Sequence, residues 1–233
     1  MPNSAHFRLA SYNIQKCVGL DLRRYPRRTV QVIERMRAQI VVLQEADKRL
    51  PPRPAALSHF VLEEAGWKVA DLGGAGSLGW HGNAVIWKSD DLAVTALGHH
   101  TLPGFEPRGA VRVEFETAHG PIRVMGMHLG LLSASRRHQI VQLSNEMKKL
   151  PKMPTVWAGD FNEWSNQPIL DHLAPGMRFL APVASFPAPR PVGALDRIAL
   201  SAGVTALDHG VHEKRPASVA SDHLPVWADL MLE

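Results

Sequence analysis

Five short apolar runs in this chain close on a carboxylate, an amide or an imidazole, and that pattern limits the folds open to it. The closing segments are Ser11-Tyr12-Asn13-Ile14, Leu43-Gln44-Glu45, Met127-His128-Leu129, Gly159-Asp160-Phe161-Asn162 and Ser221-Asp222-His223-Leu224-Pro225. A sixth, Ala194-Leu195-Asp196-Arg197-Ile198, carries its acid inside the apolar stretch. Short runs of this kind read as buried strands. Burying an unpaired carboxylate costs several kcal/mol. A chain that sets acids and histidines beside Val, Leu and Phe must offset that cost. A metal ion and a phosphate group do so together.

The rest of the chain supplies the frame. Arg8–Asn13 reads as the first strand. Pro26 marks a helix start, and Val30, Ile33 and Met36 follow at the spacing of an amphipathic stripe. Ile40–Leu43 is a buried strand. Leu50–Pro54, with its prolines, reads as loop. Leu57–Ala65 reads as a helix ended by Gly66, and Gly73–Gly79 as a flexible surface loop. Ala84–Trp87, Leu92–Gly98, Val111–Glu116 and Ile122–Met127 read as strands. Ser133–Leu150 reads as a helix capped by Ser133, with Ile140, Leu143 and Met147 inside. Thr155–Ala158 is another strand, Pro168–Leu173 a helical turn and Ala181–Val192 a Pro-rich loop. Leu195–Leu200, Val204–Asp208 and Pro225–Leu230 close the chain as strands. About nine strands with three or four helices, and no dividing linker or repeat, predict a single α+β domain over residues 1–233.

Composition removes several classes. A single Cys excludes an internal disulfide and a cysteine-based zinc site, which leaves oxygen and nitrogen ligands for any metal. No apolar run is long enough for a transmembrane helix, and the first residues do not read as a signal peptide, so the expected location is cytoplasmic. Lys and Arg exceed Asp and Glu by 26 − 22 = 4. An arginine cluster between Arg8 and Arg37, including Arg23-Arg24 and Arg27-Arg28, offers a face for anions or simply a solvated helix start. Nothing in the sequence demands more than a monomer.

The residue types suit one kind of chemistry. Asn13, Glu45, Asp160, Asn162 and Asp222 are hard oxygen ligands or orienting amides, which favour Mg²⁺ or Mn²⁺ over zinc. His128 and His223 can donate to phosphate oxygens or move protons near neutral pH. An Asp held behind a His is the carboxylate-oriented imidazole of hydrolases.

In this order, from the Asn13 strand to Ser221-Asp222-His223-Leu224-Pro225, the motifs resemble those of the endonuclease/exonuclease/phosphatase superfamily, with the fold of pancreatic deoxyribonuclease. The resemblance covers nearly the whole chain. It implies a four-layered α/β sandwich in which two central, mostly antiparallel sheets are flanked by helices. It implies a metal-dependent phosphoesterase that hydrolyses a P–O bond by in-line attack of activated water. On that resemblance Glu45 is the principal metal ligand, with Asn13 beside it and Asp222 a supporting acid. Asp160 binds and activates the water, and Asn162 orients it. His223 touches the scissile phosphate and is oriented by Asp196, and His128 is the second histidine of some branches. Whether Asp160 or His223 is the base stays open. Asn83, with His81 behind it in His81-Gly82-Asn83, and Arg136 are the substrate-side candidates. Each also reads as a structural residue, a polar turn or a loop cap.

The substrate is less legible. Glu45-Ala46-Asp47 lacks the lysine of the DNA-repair branch, and an acid at Asp47 reads as unwelcoming to a polyanion. A phosphodiester of a small or lipid-derived molecule is the first reading, with a nuclease and a sphingomyelinase- or phospholipase-like enzyme as alternatives. A catalytically dead binding module is set aside, because every matched position keeps the expected residue. Trp80 and Trp164 are candidates for contact with a phospholipid surface, or else packing residues.

Overall fold

The computed structural model describes residues 6–47, 52–73, 76–164 and 167–233, with no account of the side chains at 167–169. Part of the predicted 50–54 and 73–79 loops lies outside the described residues. The chain opens with β1 (His6–Asn13), α1 (Pro26–Met36), β2 (Ile40–Gln44), α2 (His59–Glu64), β3 (Lys68–Val69) and β4 (Ala84–Trp87). It continues with β5 (Ala93–Leu102), β6 (Arg108–Thr117), β7 (Gly120–His128), α3 (Ser133–Lys148), β8 (Thr155–Asp160), α4 (Gln167–Leu173) and β9 (Arg178–Phe179). It closes with β10 (Asp196–Leu200), β11 (Val204–Val211), α5 (Ala217–Ala220) and β12 (Val226–Leu232).

Two six-stranded sheets result, ordered β11-β12-β1-β2-β4-β3 and β5-β6-β7-β8-β10-β9. Each holds one parallel pair, β1 with β2 and β7 with β8, joined through α1 and α3. The other pairings are antiparallel. The mixed α+β sandwich expected from the motifs is therefore present.

Three apolar layers hold it. In β2, Ile40 and Val42 face the other sheet and meet Val111, Val113 and Val124. Val41 and Leu43 point the other way, onto Ile33 and Met36 of α1. That alternation is the two-residue period of a strand buried on both faces. On the far side Met125, Met127 and Trp157 pack on Ile140 and Leu143 of α3. Each such aliphatic side chain contributes roughly 1.5–3 kcal/mol through burial. The two sheets meet so closely that a Cβ on Gly126 would lie 2.6 Å from Val42 Cγ1. Gly126 is thus required by the inter-sheet contact.

Four local expectations are corrected. Ser133 does not cap α3; it is the first helical residue, Leu132 holds the cap position, and no side chain bonds there. The helix predicted over 57–65 is shorter, because Ser58 caps it by accepting from Val61 N at 3.4 Å. The end of the glycine loop is not a loose surface segment. Leu78 is buried, and Asp47 accepts from Leu78 N at 3.1 Å and Ser77 Oγ at 2.9 Å. The strand count was low, because β3 and β9 are two-residue strands with no periodic signal.

The topology collects the polar motif residues at one end. Ligand-binding residues gather at the carboxyl ends of parallel strands, and β1, β2, β7 and β8 end at Asn13, Gln44, His128 and Asp160. The antiparallel strands add their starts. Asp196 opens β10 directly opposite Asp160, and Val226 of β12 lies opposite Ser11, so Asp222 and His223 fall beside the end of β1.

Candidate active site

Asp160 is the centre of the cluster. It is the last residue of β8, paired in register with His128 of parallel β7 and with Asp196 of antiparallel β10. The preceding Gly159 permits this: a Cβ there would sit 2.0 Å from Met127 O and force β8 away from β7. Asp160 Oδ2 accepts from Asn13 Nδ2 at 3.0 Å and lies 3.3 Å from His128 Nε2 and 3.7 Å from His223 Nε2. Its Oδ1 accepts from the backbone N–H of Asn162 at 2.9 Å. Burial, followed by the Asp196 charge, raises the Asp160 carboxyl to about 6, against the pull of His223.

Behind His223 stands Asp196. Its Oδ2 accepts from His223 Nδ1 at 2.8 Å and from Ser185 Oγ at 2.6 Å. Burial alone would lower the imidazole pKa, but the charge and hydrogen bond of Asp196 outweigh it, and His223 is raised to about 10. The ring is therefore cationic at neutral pH. Phe186 lies against it at a centroid distance of 4.8 Å. Asp160, Asp196 and His223 bring ligand atoms within 4.8 Å of one another, a set able to hold a metal ion.

The other side of the cleft carries Glu45, Asn13 and Asp222. Glu45 follows β2 with φ 54, a left-handed turn that swings its carboxylate out of the strand line. Lys16 makes an ion pair with it. Asn13 Oδ1 accepts from Gln15 N at 3.1 Å, which fixes the amide. Asp222 is half-buried, and its backbone N–H donates to Gln15 Oε1 at 3.1 Å. Burial raises the Asp222 carboxyl, and the nearby Glu45 charge raises it further despite His223. Two carboxylates that disturb each other in this way favour a shared cation.

The remaining motif residues take positions around this cluster. Asn162, at φ 50, donates from Nδ2 to Leu129 O at 3.0 Å, joining the loops after β8 and β7. Arg136 is buried, and its guanidinium donates to Glu163 at 3.0 Å and to Leu131 O at 2.5 Å. Asn83 is buried at the start of β4, where its Nδ2 donates to Gly109 O at 2.9 Å. His81 is buried beside it. Burial and the Arg53 charge lower its pKa. The backbone brings this segment to the cleft, since Ala46 N donates to Gly82 O at 2.8 Å and Gly109 pairs with His128.

Asp47 is a correction. It is wholly buried and spent on the 77–78 turn, so it presents no acid to a substrate. Of the two tryptophans, Trp80 is stacked on His99 at 3.8 Å under the Arg53 guanidinium at 4.8 Å, while Trp164 is 62% exposed. Sequence reading missed Lys16, Arg53, Ser185 and Phe186 as neighbours of the site. Ser185 and Phe186 lie in the Pro-rich 181–192 stretch, and only the fold brings the Ser185 hydroxyl to Asp196.

Comparison with known proteins follows the same line. The model of the Endonuclease/Exonuclease/phosphatase family matches residues 10–223. An uncharacterised protein of Escherichia coli K12, YbhP, is 32% identical over 179 residues, which cover 66% of this chain and 64% of that one. The match thus spans a little under two thirds of that relative. Among solved structures, a mannosyl-6-phosphatase of Bacteroides thetaiotaomicron superposes with a TM-score of 0.77 at 18% identity, covering 97% of this chain and 100% of the other. A D. rerio TDP2 complexed with single-strand DNA product superposes at 0.76 with 15% identity, covering 97% and 98%. At those identities the likeness is one of fold.

Proposed function

The chain belongs to the endonuclease/exonuclease/phosphatase family, and from that premise we propose that it is a divalent-metal-dependent phosphodiesterase. The observation that carries the reading is the setting of Asp160. One carboxylate meets an amide and two imidazoles, the His223 ring cationic, and a second carboxylate stands behind His223.

The donor set fits a hard divalent ion. Glu45 and Asp222 supply carboxylate oxygens and Asn13 an amide oxygen, with no thiolate among them. The mutual disturbance of Glu45 and Asp222 is what a bound cation relieves. Mg²⁺ or Mn²⁺ held there would polarise a phosphoryl oxygen and neutralise charge on the leaving oxygen. The Asp160, Asp196 and His223 set is less suitable, because Asp196 Oδ2 and His223 Nδ1 already satisfy each other at 2.8 Å.

The protein's own groups then divide the proton work. Asp160, ionised above about pH 6, accepts a proton from the attacking water. The Asn162 backbone N–H holds that carboxylate in place through Oδ1. Asp196 fixes His223 through Nδ1, which leaves the Nε2–H to donate to a phosphoryl oxygen. His128, level with Asp160 in the β7–β8 pair, donates to the same phosphate. Each donor acts on charge that grows in the transition state.

The reading is tested with a panel of bis-p-nitrophenyl phosphate, single- and double-stranded DNA, RNA, sphingomyelin and glycerophospholipids, in Mg²⁺ and Mn²⁺. Hydrolysis of the soluble diester, abolished by chelator, is expected. Failure on every substrate with both ions would reject the proposal. A nuclease is the second reading, supported by the exposed Arg23 and Arg24 on the loop between β1 and α1. In that case DNA affinity falls steeply with salt as counterions are released.

A further inference from the structure

Among the described residues, twelve large apolar side chains are exposed, and only Phe60, Leu97, Val141 and Leu207 lie away from the loops that ring the active site. The others sit on those loops. Leu22 after β1 is 87% exposed, Phe105 in the β5–β6 hairpin 91%, Leu131 after β7 64%, Trp164 after β8 62% and Val192 before β10 71%. These loops all issue from the end of the sheets that holds Asp160. Scattered exposed apolar residues need no explanation, whereas a set gathered on one face does.

Charge accompanies the apolar tips. Arg23 and Arg24 follow Leu22, Arg137 lies on the first turn and a half of α3 after Leu131, and Arg190 precedes Val192; all four are exposed. None has a carboxylate partner among the described residues. The acids on the same loops are neutralised in place: Asp21 by Arg28, Glu106 by Arg108 and Glu163 by Arg136. Aliphatic tips flanked by unpaired arginines match the boundary of an anionic bilayer, where side chains enter the acyl region and guanidiniums meet headgroup phosphates. A nucleic-acid face is built on stacking rings, whereas five of these eight tips, Leu20, Leu22, Leu131, Leu132 and Val192, are aliphatic and three, Tyr25, Phe105 and Trp164, are aromatic. Trp164 ties the ring to the chemistry: it lies edge-on to Phe186 at 6.2 Å, and Phe186 lies against His223.

We propose that the catalytic face docks on anionic phospholipid bilayers, so that the substrate is a phosphate ester held in or at a membrane. The inference rests on the phosphoesterase reading for the site it surrounds. The test is co-sedimentation of the full chain with phosphatidylcholine vesicles and with phosphatidylcholine–phosphatidylglycerol vesicles, alongside hydrolysis of bis-p-nitrophenyl phosphate in solution. Binding to the mixed vesicles is expected, weakened at least about tenfold by Leu22→Ser with Phe105→Ser, the scale of two lost apolar insertions. Phe60→Ser, on α2, leaves it unchanged. The soluble diester is hydrolysed at the parental rate by both variants. No binding to mixed vesicles, or equal loss in Phe60→Ser, overturns the docking face. So does tight single-stranded DNA binding that depends on Arg23 and Arg24 in a protein that ignores vesicles. Vesicle binding without diester hydrolysis would leave the docking face standing and remove the phosphoesterase reading instead.

Discussion

Asp160 and Asp196 are each 1% exposed and His223 5%, whereas across the cleft the Lys16 and Glu45 side chains are 36% and 11% exposed. The two sides share a cleft and differ in solvent. On the buried side Ser185, Asp196, His223 and Asp160 form a continuous run of contacts, although Asp196 Oδ1 has no hydrogen-bond partner. A hydrated cation cannot enter there without breaking those bonds. A proton can move, because shifts to about 6 and about 10 set an ionised carboxylate beside a charged imidazole at neutral pH. On the open side Glu45 and Asp222 are only partly buried, so an ion held there would retain some of its waters. On the proposed reading, proton transfer falls to Asp160 of the second sheet and to His223, which precedes β12 of the first, and cation binding to Glu45 and Asp222 of the first sheet.

Mutations can break that division. The largest effect is expected from Asp160→Asn, which should lower kcat by about 10²-fold or more while leaving KM near its parental value. Steady-state kinetics on a soluble diester check it, and equal loss in both constants would mean that Asp160 mainly binds substrate. Glu45→Gln should raise the metal concentration for half-maximal rate at least about tenfold. A metal titration of the rate that is unchanged would move the ion elsewhere.

Away from the cleft, Asp47→Ala should cost about 1–3 kcal/mol by stranding the donors of Ser77 and Leu78. Thermal melting should fall while the metal titration stays where it was. The pH dependence of stability separates the halves further. The pKa of His223 is raised from 6.5 to about 10, so its contribution is full below about 6.5 and lost as pH rises through about 10. Asp196→Asn should flatten that decline in melts taken across the alkaline range. The smallest effect is expected from Lys16→Met. Removing a partly solvated ammonium from Glu45 should tighten Mn²⁺ binding by about two- to fivefold, the scale of a half-exposed ion pair.

The motifs made much of this legible before the fold was seen. Asn13, Glu45, Asp160, Asp222 and His223 each follow or precede an apolar run, and strand ends are where a sheet delivers side chains. What the sequence hid were contacts that depend on distance in space. Ser185 lies 11 residues from Asp196 and Phe186 37 from His223, and no periodicity links a Pro-rich loop to a catalytic imidazole. Asp47 misled for the same reason. Two residues after Glu45 it reads as part of the site, yet the chain turns at Glu45 and carries Asp47 inward beneath Leu78. Two-residue strands such as β3 and β9 are too short to carry an alternating pattern, and they exist only because β4 and β10 offer an edge.

The division between the halves is tested most directly by titrating Mn²⁺ into Asp160→Asn and Glu45→Gln without substrate, with free ion followed by electron paramagnetic resonance. Asp160→Asn should bind Mn²⁺ within about twofold of the parent, although it is nearly inactive, and Glu45→Gln at least about tenfold more weakly. Loss of Mn²⁺ binding in Asp160→Asn, with Glu45→Gln unaffected, would place the ion among Asp160, Asp196 and His223 and contradict the account.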